Sequence, residues 1–131
     1  MINPARRLLL GLLCALPAAS WASDDVLTDA IKKINGNVVF MRHAIAPGYG
    51  DPDNFKIGDC STQRNLDDTG RSQARAIGKA LSQSGTQFAE ILSSEWCRCQ
   101  ETAALLGLGK WSTFAGLNSF FQGYADADAT I

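Results

Sequence analysis

Arg42 and His43 stand side by side directly after an apolar run, Val38-Val39-Phe40-Met41, and Arg98 follows closely on a second apolar stretch that ends at Leu92. One imidazole among guanidinium groups is poorly suited to a metal ion and well suited to a phosphoryl group. Each guanidinium offers a planar fork that pairs with two phosphate oxygens and stays charged. A neutral imidazole can attack phosphorus and carry the group covalently. The arginines would then hold the charge that spreads over the equatorial oxygens, so catalysis is mainly positioning and electrostatics. Nearby positive charge also lowers the imidazole pKa and keeps the nucleophile neutral near pH 7. By residue type alone the plainer reading is a hydrogen-bonded surface histidine with arginines in ion pairs.

Such a site needs elements to position it. Asp24 to Ile34 reads as a helix with Val26, Leu27, Ala30, Ile31 and Ile34 on one side. Val38 to Met41, rich in β-branched residues and bounded by turn signals, predicts a strand buried on both faces, as in a parallel sheet. The polar stretch from Ile45 to Asn65 carries Pro47, Gly48, Gly50, Pro52 and Gly58. Loops of that length are usually functional or disordered. Asp67-Asp68-Thr69 offers capping chemistry for a helix from about Gly70 to Ser84, with Ala74, Ile77 and Leu81 at helical spacing. Gln87 to Leu92 predicts a second strand, Glu95 to Leu106 a helix closed by Gly107 and Gly109, and Trp111 to Phe114 a third strand. This alternation predicts an α/β fold with parallel strand pairs. Ligands gather at the carboxyl ends of such strands, which would bring Arg42-His43 and Ser93-Ser94-Arg98 to one crevice.

The chain has 131 residues and a formal net charge of -1. Arg6 and Arg7, the apolar run Leu8 to Leu16 and the small-x-small sequence Ser20-Trp21-Ala22 read as a signal peptide over residues 1–22. Leu13 before Cys14 is too large for a lipid-attachment site. Residues 23–131 then suffice for one small, mildly acidic domain. Lys and Arg are scattered singly, which argues against a nucleic-acid footprint. No stretch after Ala22 reads as a membrane span, so the expected product is exported, periplasmic or secreted.

Val39-Phe40-Met41-Arg42-His43-Ala44 resembles the opening motif of the histidine phosphatase superfamily, the phosphoglycerate mutase-like fold. Asn65-Leu66-Asp67-Asp68-Thr69-Gly70-Arg71-Ser72-Gln73-Ala74 resembles its second motif. The stretch from Ile91 to Ala103, with Ser93-Ser94, Arg98 and Thr102-Ala103, resembles its third. The resemblance implies a three-layer α/β sandwich with a mainly parallel sheet. It implies a phosphatase acting on a phosphomonoester or phosphoramidate through a phosphohistidine at His43, with Arg42 and Arg98 as phosphate clamps and no cofactor or metal. Arg64, in the polar loop with Cys60-Ser61-Thr62-Gln63, is a candidate contact to the phosphate or the leaving group. The expected partner is a small phosphorylated substrate or an envelope phosphate group.

The family also uses a second histidine and often an acid after the third strand. His43 is the one histidine here, and Leu117-Asn118-Ser119 offers no carboxylate. The chain is therefore expected to be the N-terminal portion of the domain, incomplete at the C-terminus. The alternative is an inactive remnant that at most binds phosphate. Ala44 stands where many members have Gly, a variation the pocket should accommodate. Of the cysteines, Cys60, Cys97 and Cys99 remain after cleavage at Ala22. In an oxidising compartment Cys60 should pair with Cys97 or Cys99. A Cys-x-Cys metal site with His43 is disfavoured, because Arg42 and Arg98 would repel a cation.

Overall fold

The computed structural model describes residues 23–34 and 36–130. The expected signal peptide lies outside the described residues. Helix α1 spans Ser23–Lys33, α2 Asp68–Gln83 and α3 Cys97–Leu106. Strand β1 is Leu92–Ser93 and β2 is Ser112–Thr113, and the two pair in parallel with Leu92 opposite Ser112. Short 3₁₀ turns occupy Cys60–Thr62, Ala115–Leu117, Phe121–Gly123 and Ala127–Ala129. The architecture is mixed α/β, with α1 and α3 packed against α2 and a two-stranded parallel sheet beside α3.

The helices start and stop where their chemistry dictates. The Asp67 carboxylate accepts from Gly70 N at 2.7 Å and caps α2, which begins at Asp68, two residues before the expected Gly70. Gly107 ends α3 in the left-handed conformation, φ 63°, the usual glycine stop. Helix α3 begins at Cys97 rather than Glu95, because Trp96 is extended, ψ 135°, and stands as its N-cap, while Glu95 N donates to Asn118 Oδ1 at 2.9 Å.

Two glycines of α2 set how closely it docks. A Cβ on Gly70 would lie 2.0 Å from the carbonyl oxygen of Ile45, and one on Gly78 would lie 1.9 Å from that of Leu106. Backbone therefore meets helix surface at both points, and only glycine fits. Ala74, fully buried, sits one turn after Gly70 and forms the core with Ala44 and Leu66.

The strand expected over Val38 to Met41 does not form. These residues have no strand assignment and are exposed, Phe40 most of all at 76%. A strand buried on both faces needs hydrogen-bonding neighbours and covering layers. Among the described residues the sheet is β1 with β2 alone, and neither pairs with this run. The strand expected at 87–92 is reduced to Leu92–Ser93, and the one expected at 111–114 to its two central residues, Ser112–Thr113.

Candidate functional site

Although Val38 to Met41 is not in a sheet, the segment that follows is fixed. Ala44 N donates to Thr102 Oγ1 at 3.0 Å, and the same hydroxyl donates to Arg98 O at 2.7 Å. Ile45 N donates to Gln73 Oε1 at 2.9 Å. Helix α3 thus holds one side of His43-Ala44 and helix α2 the other. The residues that carry the second and third motifs, Gly70, Gln73, Ala74 and Thr102, act here as the scaffold of His43. Ala44 is buried against Leu66 and Ala74, so its methyl group is accommodated as core.

His43 is half-buried, and its Nδ1 lies 2.7 Å from Ala44 O. A carbonyl only accepts, so Nδ1 carries the hydrogen and Nε2 keeps the lone pair. Burial lowers the imidazole pKa below its ordinary 6.5; the bond to Ala44 opposes this, and the charges of Arg98, Arg42 and Arg64 add to it. The imidazole is therefore neutral at pH 7, with Nε2 as a base or nucleophile.

His43 lines a cleft of about 380 Å³ together with Arg42, Arg64 and Arg98. The three arginines singled out in the sequence are therefore brought together, but in different ways. Arg42 is exposed and makes no ion pair among the described residues. Arg64 donates from Nε to Gly50 O at 2.9 Å and from Nη1 to Ala46 O, so it ties the loop of residues 46–50 closed while lining the cleft. Burial and the charge of Arg98 both lower its pKa. Arg98 is engaged by a residue with no motif to announce it. Its Nη1 and Nη2 donate to Asp51 Oδ1 and Oδ2 at 2.7 and 3.1 Å. The fork expected to meet phosphate is thus held by a carboxylate, and only Nε is left buried without a partner.

Asp51 is the residue that sequence reasoning missed. It also accepts from Arg64 N at 2.9 Å and from Trp96 Nε1 at 3.0 Å. Burial alone would raise its carboxyl pKa, but the hydrogen bonds from Arg98, the Arg64 amide and Trp96 outweigh this and hold it below the ordinary carboxylate range. Around it, Phe55 stacks on Trp96 at 5.0 Å and meets Tyr124 at 4.5 Å, and Tyr124 Oη donates to Asp51 O.

The long loop is therefore ordered and clipped onto the start of α3. Cys97 N donates to Gln63 Oε1 at 2.9 Å, and Cys60 is bonded to Cys97 with Cα atoms 5.6 Å apart. Of the two pairings open from sequence, Cys97 is the one formed. Cys99 stays a thiol that lines the cleft. Its burial raises the thiol pKa, against the hydrogen bond with Ser94 and the charge of Arg98. Among the described residues no group of three or more His, Cys, Asp or Glu is placed to hold a metal ion, and no helix is long and apolar enough to cross a membrane.

Residues 38–118 match the family described as the histidine phosphatase superfamily (branch 1). The chain belongs to the histidine phosphatase superfamily. It is 35% identical over 65 residues to the mitochondrial serine/threonine-protein phosphatase Pgam5 of Drosophila yakuba, covering 50% of this chain and 22% of that protein. It is 31% identical over 67 residues to the Drosophila mojavensis protein of the same name, covering 51% and 22%. The matched stretch is thus 22% of the length of these relatives. No solved structure matches the chain. The span 38–118 of the superfamily match includes Arg42, His43, Asp51, Arg64 and Arg98.

Proposed function

We propose that the chain carries the phosphate-binding and nucleophilic half of a phosphatase site, with His43 Nε2 as the attacking atom. The observation that carries this reading is the hydrogen bond from Nδ1 to Ala44 O beside three guanidinium groups in one cleft. In the first step the N–P bond to Nε2 forms as the ester P–O bond breaks, and the electron pair leaves with the substrate oxygen. In the second, water attacks phosphorus, the N–P bond breaks, and inorganic phosphate leaves with neutral His43 regenerated. Arg42, exposed and without an ion pair among the described residues, is the primary clamp. Arg98 supplies charge from below, tempered by Asp51, and Arg64 adds charge while closing the loop.

Membership in the superfamily and the names of the Pgam5 relatives support phosphorylated substrates. The three-layer sandwich and the export of the protein belong to the same proposal; the Cys60–Cys97 bond favours an oxidising compartment. A second reading, phosphate binding without turnover, is favoured by one observation. Asp51 is the one carboxylate lining the cleft among the described residues, and it is held ionised.

The test uses His43 as its own reporter, because it is the sole histidine of the chain. Its imidazole should titrate by NMR with a midpoint below 6.5 and shift on addition of inorganic phosphate. Arg42→Ala should raise the midpoint and weaken phosphate binding by about tenfold or more, the worth of one charge-assisted hydrogen bond. A midpoint at or above 6.5 with no response to phosphate would remove the basis of the proposal.

A further inference from the structure

The cleft that holds the arginines also holds aromatic side chains that no phosphate needs. Tyr49 is 86% exposed and Phe121 47% exposed, whereas Arg98 is buried. Arg98 thus lies at the floor of the cleft, and these two rings form its outer part. They meet edge to face, with centroids 5.5 Å apart and planes at 82°. Exposed aromatics in mutual contact beside a polar floor leave ring faces available for a further planar group. Leu117 lies in the same lining, and Tyr124 is already occupied with Phe55 and Asp51.

The serine hydroxyls of the lining are already engaged. Ser119 Oγ accepts from Phe121 N at 3.2 Å, and Ser94 Oγ is engaged with Asn118 at 3.1 Å. A hydroxylated leaving group would have to share these two serines, whereas a planar ring meets the exposed faces of Tyr49 and Phe121 directly. The chemistry of the floor points the same way. The carboxylate in the lining is Asp51, and it is bonded to Arg98 through both oxygens. It has no proton to give to a departing alkoxide. A phenol, with a pKa near about 10, leaves without such help far more readily than an alkoxide.

Resting on the phosphate reading of the same site, we propose that the cleft takes a phosphoryl group carried on an aromatic ring, the ring seated against Tyr49 and Phe121. Both free aryl phosphates and phosphotyrosine share this chemistry. On transfer, the P–O bond breaks with its electron pair on the ring oxygen, the N–P bond to His43 forms, and the phenolate takes its proton from water.

Binding is read from the His43 imidazole signal with three probes: inorganic phosphate, methylphosphonate and phenylphosphonate. Phenylphosphonate should bind roughly three- to tenfold more tightly than methylphosphonate, the increment expected of aromatic contacts. In Tyr49→Ala, and separately in Phe121→Leu, that ratio should fall toward one. The ratio is internal to each variant, so a change in overall affinity does not obscure it. Equal binding of the two phosphonates to the parent protein, with inorganic phosphate still bound, would overturn the aromatic seat and leave the phosphate reading standing. Failure of all three probes to bind would overturn both. O-phosphotyrosine binding at least as tightly as phenylphosphonate would support the seat in its peptide-borne form; exclusion of O-phosphotyrosine with phenylphosphonate bound would support it for free aryl phosphates.

Discussion

Asp51→Ala should be the most damaging single change in the molecule. The Asp51 side chain is 2% exposed and that of Arg98 9%. The substitution deletes both contacts to Arg98 along with the acceptors of Arg64 N and Trp96 Nε1. It leaves a guanidinium whose Nε is already unpartnered buried with no countercharge. Breaking one side of a buried ion pair costs about 3–5 kcal/mol, most of it from the stranded charge. With a urea m-value of about 1–2 kcal/mol/M for a chain of this size, the unfolding midpoint should fall by about 1.5 M or more. Urea titration followed by tryptophan fluorescence measures it, because Trp96 is 1% exposed and its indole contacts Asp51. Arg98→Ala should be costly as well, and the double variant should lose much less than the two losses added together. The same pair sets an acid limit. A carboxyl whose pKa is depressed on folding contributes stability that is present above its unfolded value near 3.8 and is lost as pH falls through the lower folded value. An Asp51→Ala protein within about 1 kcal/mol of the parent, or strictly additive losses in the cycle, would refute this account of the pair.

Thr102→Val should cost about 1–3 kcal/mol, because the buried amide of Ala44 loses its acceptor, and chemical denaturation checks it. Gly70→Ala should do more harm than a helix propensity gain could offset, since its Cβ would fall 2.0 Å from Ile45 O; the expected readout is a lower melting temperature with a shifted His43 resonance. Reduction of Cys60–Cys97, which closes a separation of 37 residues, should lower stability by about 4 kcal/mol on the chain-entropy relation, seen as a lower midpoint in the presence of reductant.

The helices were legible because their signals are local, whereas the meeting of Arg42-His43 with Arg98 was expected from two parallel strand ends, the first of which does not form, and from the family resemblance. Asp67 ahead of Gly70, Ala74 one turn on, and Gly107 after the last apolar residue each announce themselves within a few positions. The strand expected at Val38 to Met41 shows where such signals end. A β-branched apolar run records a preference for extended backbone, whereas pairing depends on neighbours elsewhere in the chain. Asp51 marks the same boundary in the site. In the sequence it is one of two aspartates around Pro52 in a polar loop, and nothing local distinguishes it from Asp53. Its role comes from Arg98, 47 residues away, a contact that no spacing rule encodes. The choice of Cys97 over Cys99 is similar, because the turn from Cys60 to Thr62 and the bond from Gln63 to Cys97 N decide which sulfur comes within reach.

Trapping the phosphorylated protein tests most directly whether His43 Nε2 is the phosphoryl acceptor. The protein would be incubated with a ³²P-labelled aryl phosphate, quenched in alkali, and mapped by mass spectrometry. The expected result is an acid-labile, alkali-stable phosphate on His43, absent from His43→Asn and diminished in Arg42→Ala. Label on any other residue, or no label at substrate concentrations that saturate the His43 NMR shift, would contradict the assignment of His43 as nucleophile.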